Sequence, residues 1–344
     1  MTNDALKSFD KRARYIDFLR ILAIAFVILL HSITGYITNV SFFGTKTWWF
    51  CLLANGIART GVPLFFMISG YLLLDDARTL HIFKFYRKRF ARILIPFIIW
   101  DVIYFTVKAF TGNDIAIAAF FKELLVTGSM YHLWFVYEIS GVYLTMPFIK
   151  RIVDNCSTKE LLLLLMIITS TCTIFPLINT VTPVYISLFM SQISGYIGYA
   201  LLGYILGKKT ISRPVAIIIY IGGLAGFLFG VIGNHMYSSA EKIDLRLNGG
   251  FRICYFLSAA AIFVFAKHFM FRKSLGNHSV VTKISSTTYG VYLMHVLVLE
   301  RLQSVVATKT PILNIAVCAG ATFVISAVVM FAISKIKYAN KLLM

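Results

Sequence analysis

An all-α polytopic membrane protein of about ten transmembrane helices, with both termini in the cytoplasm, is the fold class that three observations predict. Hydrophobic residues make up 59% of the 344 and charged residues 14%, with a mean hydropathy of +0.80, whereas a soluble chain carries roughly a quarter charged residues. Apolar stretches recur from Tyr15 to the C-terminus, each near the roughly 20 residues that a hydrocarbon core about 30 Å thick requires. With a cytoplasmic N-terminus, about 23 Lys and Arg fall on the cytoplasmic side and about 7 outside, leaving Arg20, Arg59 and Arg252 within spans.

The spans are expected at about residues 15–37, 48–74, 92–111, 131–149, 160–177, 188–207, 213–234, 250–268, 284–305 and 311–334. Lipid offers the backbone no hydrogen bonds, so each must be a helix. The first apolar run contains Asp17, Arg20 and His31 and is long enough to cross, which predicts a retained helix rather than a cleaved signal. Before the third span, His81 to Arg92 interleaves Lys84, Arg87, Lys88, Arg89 and Arg92 with Phe83, Phe85, Tyr86 and Phe90, the pattern of an interfacial amphipathic stretch. Between spans three and four, Asn113 to Ser129 contains IAIAAFFKELLV, which suits a short helix on the outer surface. No room remains for a soluble domain, so residues 1–344 are expected to form one integral membrane domain in the inner (plasma) membrane.

The net charge of +19 is spread over membrane-flanking segments, which fits the positive-inside rule and gives no nucleic-acid footprint. Cys51, Cys156, Cys172, Cys254 and Cys318 have neither disulfide nor metal spacing. No nucleotide-binding glycine signature, GxSxG elbow or metal-ligand cluster is present, so no metal is expected.

Ionisable groups within spans are costly and mark candidate functional sites. Asp17 and Arg20, three residues apart, can pair on one helix face. His31, eleven residues beyond Arg20, returns to that face about 16 Å further along, so one stripe joins a charged end to a deep histidine. The pair can equally be an interfacial ion pair with Arg20 snorkelling, and His31 an interhelical hydrogen bonder. Arg89 and Arg92 share a face if the third helix starts early, and there they either grip a phosphate-bearing ligand or simply flank a cytoplasmic helix end. Further candidates are Arg59 and Ser69 in span two, Asp101 in span three, His132 and Glu138 in span four, Arg252 in span eight and His295 in span nine. Trp134, beside His132, is placed to wall a pocket.

These residues occur in recognisable strings: Tyr15-Ile-Asp17-Phe-Leu-Arg20 with His31 eleven residues after Arg20, Gly61-Val-Pro-Leu-Phe-Phe-Met-Ile-Ser69-Gly70-Tyr-Leu, Arg89-Phe-Ala-Arg92, Tyr131-His-Leu-Trp134-Phe, and Ser285 with Tyr289-Gly-Val-Tyr292-Leu-Met-His295. In this order and register the chain resembles the acyltransferase-3 family of membrane O-acyltransferases, from the first span to the ninth. The likeness is to its compact members, of the enterobacterial common antigen O-acetyltransferase type. The resemblance implies that cytoplasmic acyl-CoA, usually acetyl-CoA, is donor and co-substrate, and that a cell-envelope glycan or lipid-linked sugar is the acceptor. It implies donor binding by Arg89 and Arg92, which match the RxxR signature, and catalytic roles in the Arg20–His31 signature, with Asp17 beside it. Ser69, His132, Trp134, Glu138 and His295 are expected around the substrates. No appended acceptor domain is expected, and so nothing points to one glycan.

The residues suit this chemistry on their own terms. Acyl transfer from a thioester to an alcohol needs a base for the hydroxyl proton, a task that histidine fits. The rival class is a proton-coupled transporter or flippase, since buried Arg, Asp, Glu and His also carry ions. The lack of a visible inverted repeat or of paired broken helices counts against it.

Overall fold

The computed structural model describes residues 3–110, 117–184, 186, 192–272 and 278–344. Among them there are helices and no strand. In chain order the helices are α1 (Asn3–Ile37), α2 (Lys46–Ala58), α3 (Gly61–Leu74), α4 (Ile82–Phe110), α5 (Ile117–Val126), α6 (Trp134–Asn155) and α7 (Thr158–Thr169). There follow α8 (Phe175–Val181), α9 (Gln192–Lys208), α10 (Arg213–Tyr237), α11 (Ile253–Arg272), α12 (His278–Val305), α13 (Pro311–Ser334) and α14 (Lys337–Leu343).

Among the described residues six segments are long and apolar enough to cross a membrane: Arg14–Ile37, Lys46–Leu74, Ile82–Phe110, Thr158–Val181, Arg213–Tyr237 and Pro311–Ser334. The chain is therefore a multi-pass membrane protein. The other four expected spans fall on α6, α9, α11 and α12, and residues 188–191, which open the sixth expected span, lie outside the described residues, as do Asn113 to Ala116 of the outer segment. The weaker apolarity of α12 has a reason: Ser285, Thr287, Thr288 and His295 on it are buried in the protein interior, where intramembrane polar groups are tolerated.

Three expectations need correction in detail. Span two is broken, α2 ending at Ala58 and α3 starting at Gly61, so Arg59 caps α2 rather than sitting within a helix. His132 lies in the turn before α6, which starts at Trp134. Arg252 precedes α11 in a loop. The amphipathic stretch leads into span three without a break, forming the first turns of the continuous α4, so the helix does start early and Arg89 and Arg92 stand one above the other on it.

The central α1 packs against α2, α3, α11, α12 and α13, burying Leu19, Ala23, Ile24 and Ile28. Small residues let its neighbours close up, as is usual where packing rather than water drives helix association. A Cβ at Gly70 would come within 2.0 Å of the Ala200 carbonyl oxygen, and one at Gly203 within 2.1 Å of that of Met67, so α3 and α9 touch backbone to backbone. Pro96 within α4 lacks the N–H that would bond to the Arg92 carbonyl. A wide π turn, Ser170–Ile174, joins α7 to α8 ahead of Pro176.

Candidate active site

At one end of the bundle Asp17 is buried and fully engaged. It accepts hydrogen bonds from Ser285 Oγ at 2.7 Å and Thr282 Oγ1 at 2.9 Å, and lies 3.6 Å from Arg20 Nη1. Asp17 thus ties α1 to α12 and aims Arg20 outward from the seam. Arg20 enters a cavity of about 380 Å³ together with Arg89 and Arg92 of α4, Ser69 of α3 and Ser285 of α12. Arg78, in the short 3₁₀ turn between α3 and α4, stands at its mouth with a side chain 81% exposed. Asp76 accepts from Arg78 Nε at 3.0 Å, and that guanidinium holds the Asp76 carboxyl below the usual carboxylate range. Four guanidinium groups thus line one cavity, two of them paired with Asp17 and Asp76, and arginine is suited to phosphate by its planar fork.

Inward, the cavity ends on the aromatic rings of Phe135 and Tyr292, whose centroids are 5.2 Å apart. Tyr292 leads directly to the histidines. Its ring centroid is 5.6 Å from His132 and 5.8 Å from His295; its hydroxyl donates to the His132 carbonyl; and its own carbonyl accepts from His295 Nδ1 at 2.5 Å. His31, His132 and His295 form one cluster, with centroid separations of 5.3 Å for His31–His295, 6.5 Å for His31–His132 and 5.0 Å for His132–His295. His31 is half-buried and the other two are fully buried. Neither ring nitrogen of His132 makes a well-formed hydrogen bond, and Nε2 of His295 makes none.

The turn that carries His132 is fastened on three sides. Asp101 accepts from Ser129 N at 2.6 Å and from Ser129 Oγ at 3.2 Å. Lys108 Nζ donates to the Ser129 carbonyl, and the Tyr292 hydroxyl holds the His132 carbonyl. Gly128 has φ +79°, a conformation that favours glycine, and it turns the chain back under Asp101.

The structure thus brings together eight residues that the sequence singles out, as two adjoining groups: Asp17, Arg20, Ser69, Arg89 and Arg92, then His31, His132 and His295. Two others stand apart from both. Trp134 stacks on Tyr196 with a centroid separation of 6.3 Å, and half-buried Glu138 lines neither the cavity nor the histidine cluster. Arg59 donates to Asn55 Oδ1 at 3.0 Å and to the Asn248 carbonyl at 2.7 Å, in a network that folds the loop before α11 into the bundle. Arg252 donates to the carbonyls of Pro176 at 2.9 Å and Arg246 at 3.1 Å. Sequence reasoning missed Arg78 and Tyr292 as wall residues. Arg78 gives no signal beyond its place near Arg89, whereas Tyr292, three residues before His295, shares its helix face. Among the described residues no group of three or more His, Cys, Asp or Glu is placed to hold a metal ion.

The molecule is thus a helical membrane protein whose arginine-rimmed cavity adjoins buried histidines. Residues 13–331 match the family model described as an acyltransferase domain, that of acyltransferase-3. The chain belongs to the acyltransferase-3 family, and its chemistry is acyl transfer within the membrane. No curated protein and no solved structure matches the chain.

Proposed function

We propose that the protein moves an acyl group, in the simplest case acetyl, from cytoplasmic acyl-CoA to a hydroxyl of a cell-envelope glycan or lipid-linked sugar, working as a ten-span protein of the inner membrane with both termini in the cytoplasm. One observation carries this reading: the arginine-rimmed cavity ends on Tyr292, which also holds two members of the histidine cluster. In this reading the anionic nucleotide of the donor binds among Arg20, Arg78, Arg89 and Arg92. The cavity volume lies within the roughly 300–1,000 Å³ of small-molecule sites, and the long, thin acyl-bearing arm runs inward along Ser69 and Tyr292. His31 takes the acceptor proton as the hydroxyl oxygen attacks the thioester carbonyl. The C–S bond breaks, and the proton passes to the leaving sulfur.

The test is mass spectrometry of cell-envelope glycans from cells with and without the protein. An added acyl mass that depends on the protein and on His31 supports the reading. No acyl mass, together with movement of an envelope precursor across proteoliposomes, overturns it in favour of transport.

A further inference from the structure

His295 differs from its two histidine neighbours in that the fold fixes its tautomer. Its Nδ1 lies 2.5 Å from the Tyr292 carbonyl oxygen, and a carbonyl only accepts, so the ring proton is on Nδ1. Nε2 of the neutral ring is then a bare lone pair. That nitrogen is buried with no partner, on a residue with no exposed surface, where an unmet acceptor is costly. A neutral acceptor left bare in the interior marks a place where something is meant to donate.

The neighbour suited to donate is His31. Two rings lie close enough to donate, His132 at 5.0 Å and nearly perpendicular at 78° and His31 at 5.3 Å and tilted by 34°; His132 is fully buried, whereas half-buried His31 can donate inward and still meet a substrate with its other nitrogen. A direct N–H···N bond of about 2.9 Å sets two imidazole centroids about 5 Å apart, close to the separation of His31 and His295. On another side Tyr131 meets His31 at 5.2 Å, edge to face.

We infer that His295 is the positioning partner of His31, its Nε2 accepting the His31 ring N–H so that the opposite His31 nitrogen is presented as a lone pair to the acceptor hydroxyl. This rests on the acyl-transfer reading above. As the acceptor oxygen bonds to the acyl carbon, its proton moves to the free His31 nitrogen. The imidazolium so formed still donates to His295 Nε2, a charge-assisted bond that strengthens where water is excluded. The thioester C–S bond then breaks, His31 returns the proton to the departing sulfur, and both rings regain their starting state. His295 therefore touches no substrate and acts through His31.

Two substitutions separate this role from plain helix support. In His295→Asn the amide nitrogen takes the place of Nδ1 and keeps the bond to the Tyr292 carbonyl, with nothing at the Nε2 position. In His295→Gln the longer amide oxygen reaches the Nε2 position and accepts from His31. The purified full-length proteins, in lipid with acetyl-CoA and envelope membranes as acceptor, are compared with wild type and with His31→Gln. The expected result is an unchanged donor KM throughout, a kcat about 100-fold lower in His295→Asn, and a smaller loss in His295→Gln. A near-wild-type kcat in His295→Asn, or equal losses in the two variants, overturns the pairing. Wild-type protein that transfers nothing, or His31→Gln at full rate, instead overturns the catalytic reading on which the pairing depends.

Discussion

The His31 ring has Tyr131 at 5.2 Å and His295 at 5.3 Å, and in the proposed reaction it is the group that receives the acceptor proton. Its replacement by Gln keeps a polar side chain of similar reach but removes the base. His31→Gln is expected to insert and bind donor normally while its transfer rate falls by about 100- to 10,000-fold; a normal rate in correctly inserted protein moves the base elsewhere. At the other group, Arg89→Ala or Arg92→Ala is expected to weaken acetyl-CoA binding about tenfold or more, the size of a lost charged hydrogen bond of about 1.5–3 kcal/mol. Lys at either position retains part of the affinity, since it keeps the charge and loses the fork. Calorimetric titration of the purified variants checks this, and unchanged affinity in both alanine proteins reduces the two residues to topology signals.

Among the elements, the turn between α5 and α6 most directly couples fold to site, since His132 is placed by bonds from α4 and α12 rather than by a helix of its own. Asp101→Ala leaves the buried Ser129 N–H without its acceptor, a cost of about 1–3 kcal/mol. The expected outcome is a lower melting temperature in detergent and faster proteolysis near Gly128, together with reduced transfer; a variant as stable and as resistant as wild type shows the clamp to be dispensable. This clamp was not legible in the sequence, where Asp101 reads as one more intramembrane charge. Hydropathy along one chain reports burial but not partners, so it could place the long apolar helices and the shared face of Arg89 and Arg92, yet not the break at Arg59 or the distance of Trp134 from the histidines. The Arg20–His31 stripe was readable because helix geometry alone fixes it.

For the whole molecule, the proposed orientation, drawn from the Lys and Arg distribution, has both termini on the cytoplasmic side. Reporter fusions at the C-terminus should be active when the reporter works in the cytoplasm and silent when it needs export; the reverse pattern overturns the even number of spans. The six apolar segments were visible to composition, whereas α12 is harder to read as a span because the polar residues it contributes to the interior dilute its apolar character. In the proposed orientation, the cavity admits water from one side as far as Phe135 and Tyr292, while Tyr131, 56% exposed, opens toward the other side. Those two rings with the buried histidines then stand between the two sides. A membrane that stores its energy as an ion gradient tolerates such a place only if it stays dry, so in the proposed reaction the same aromatic packing that guides the acyl group inward also keeps bulk water from following it.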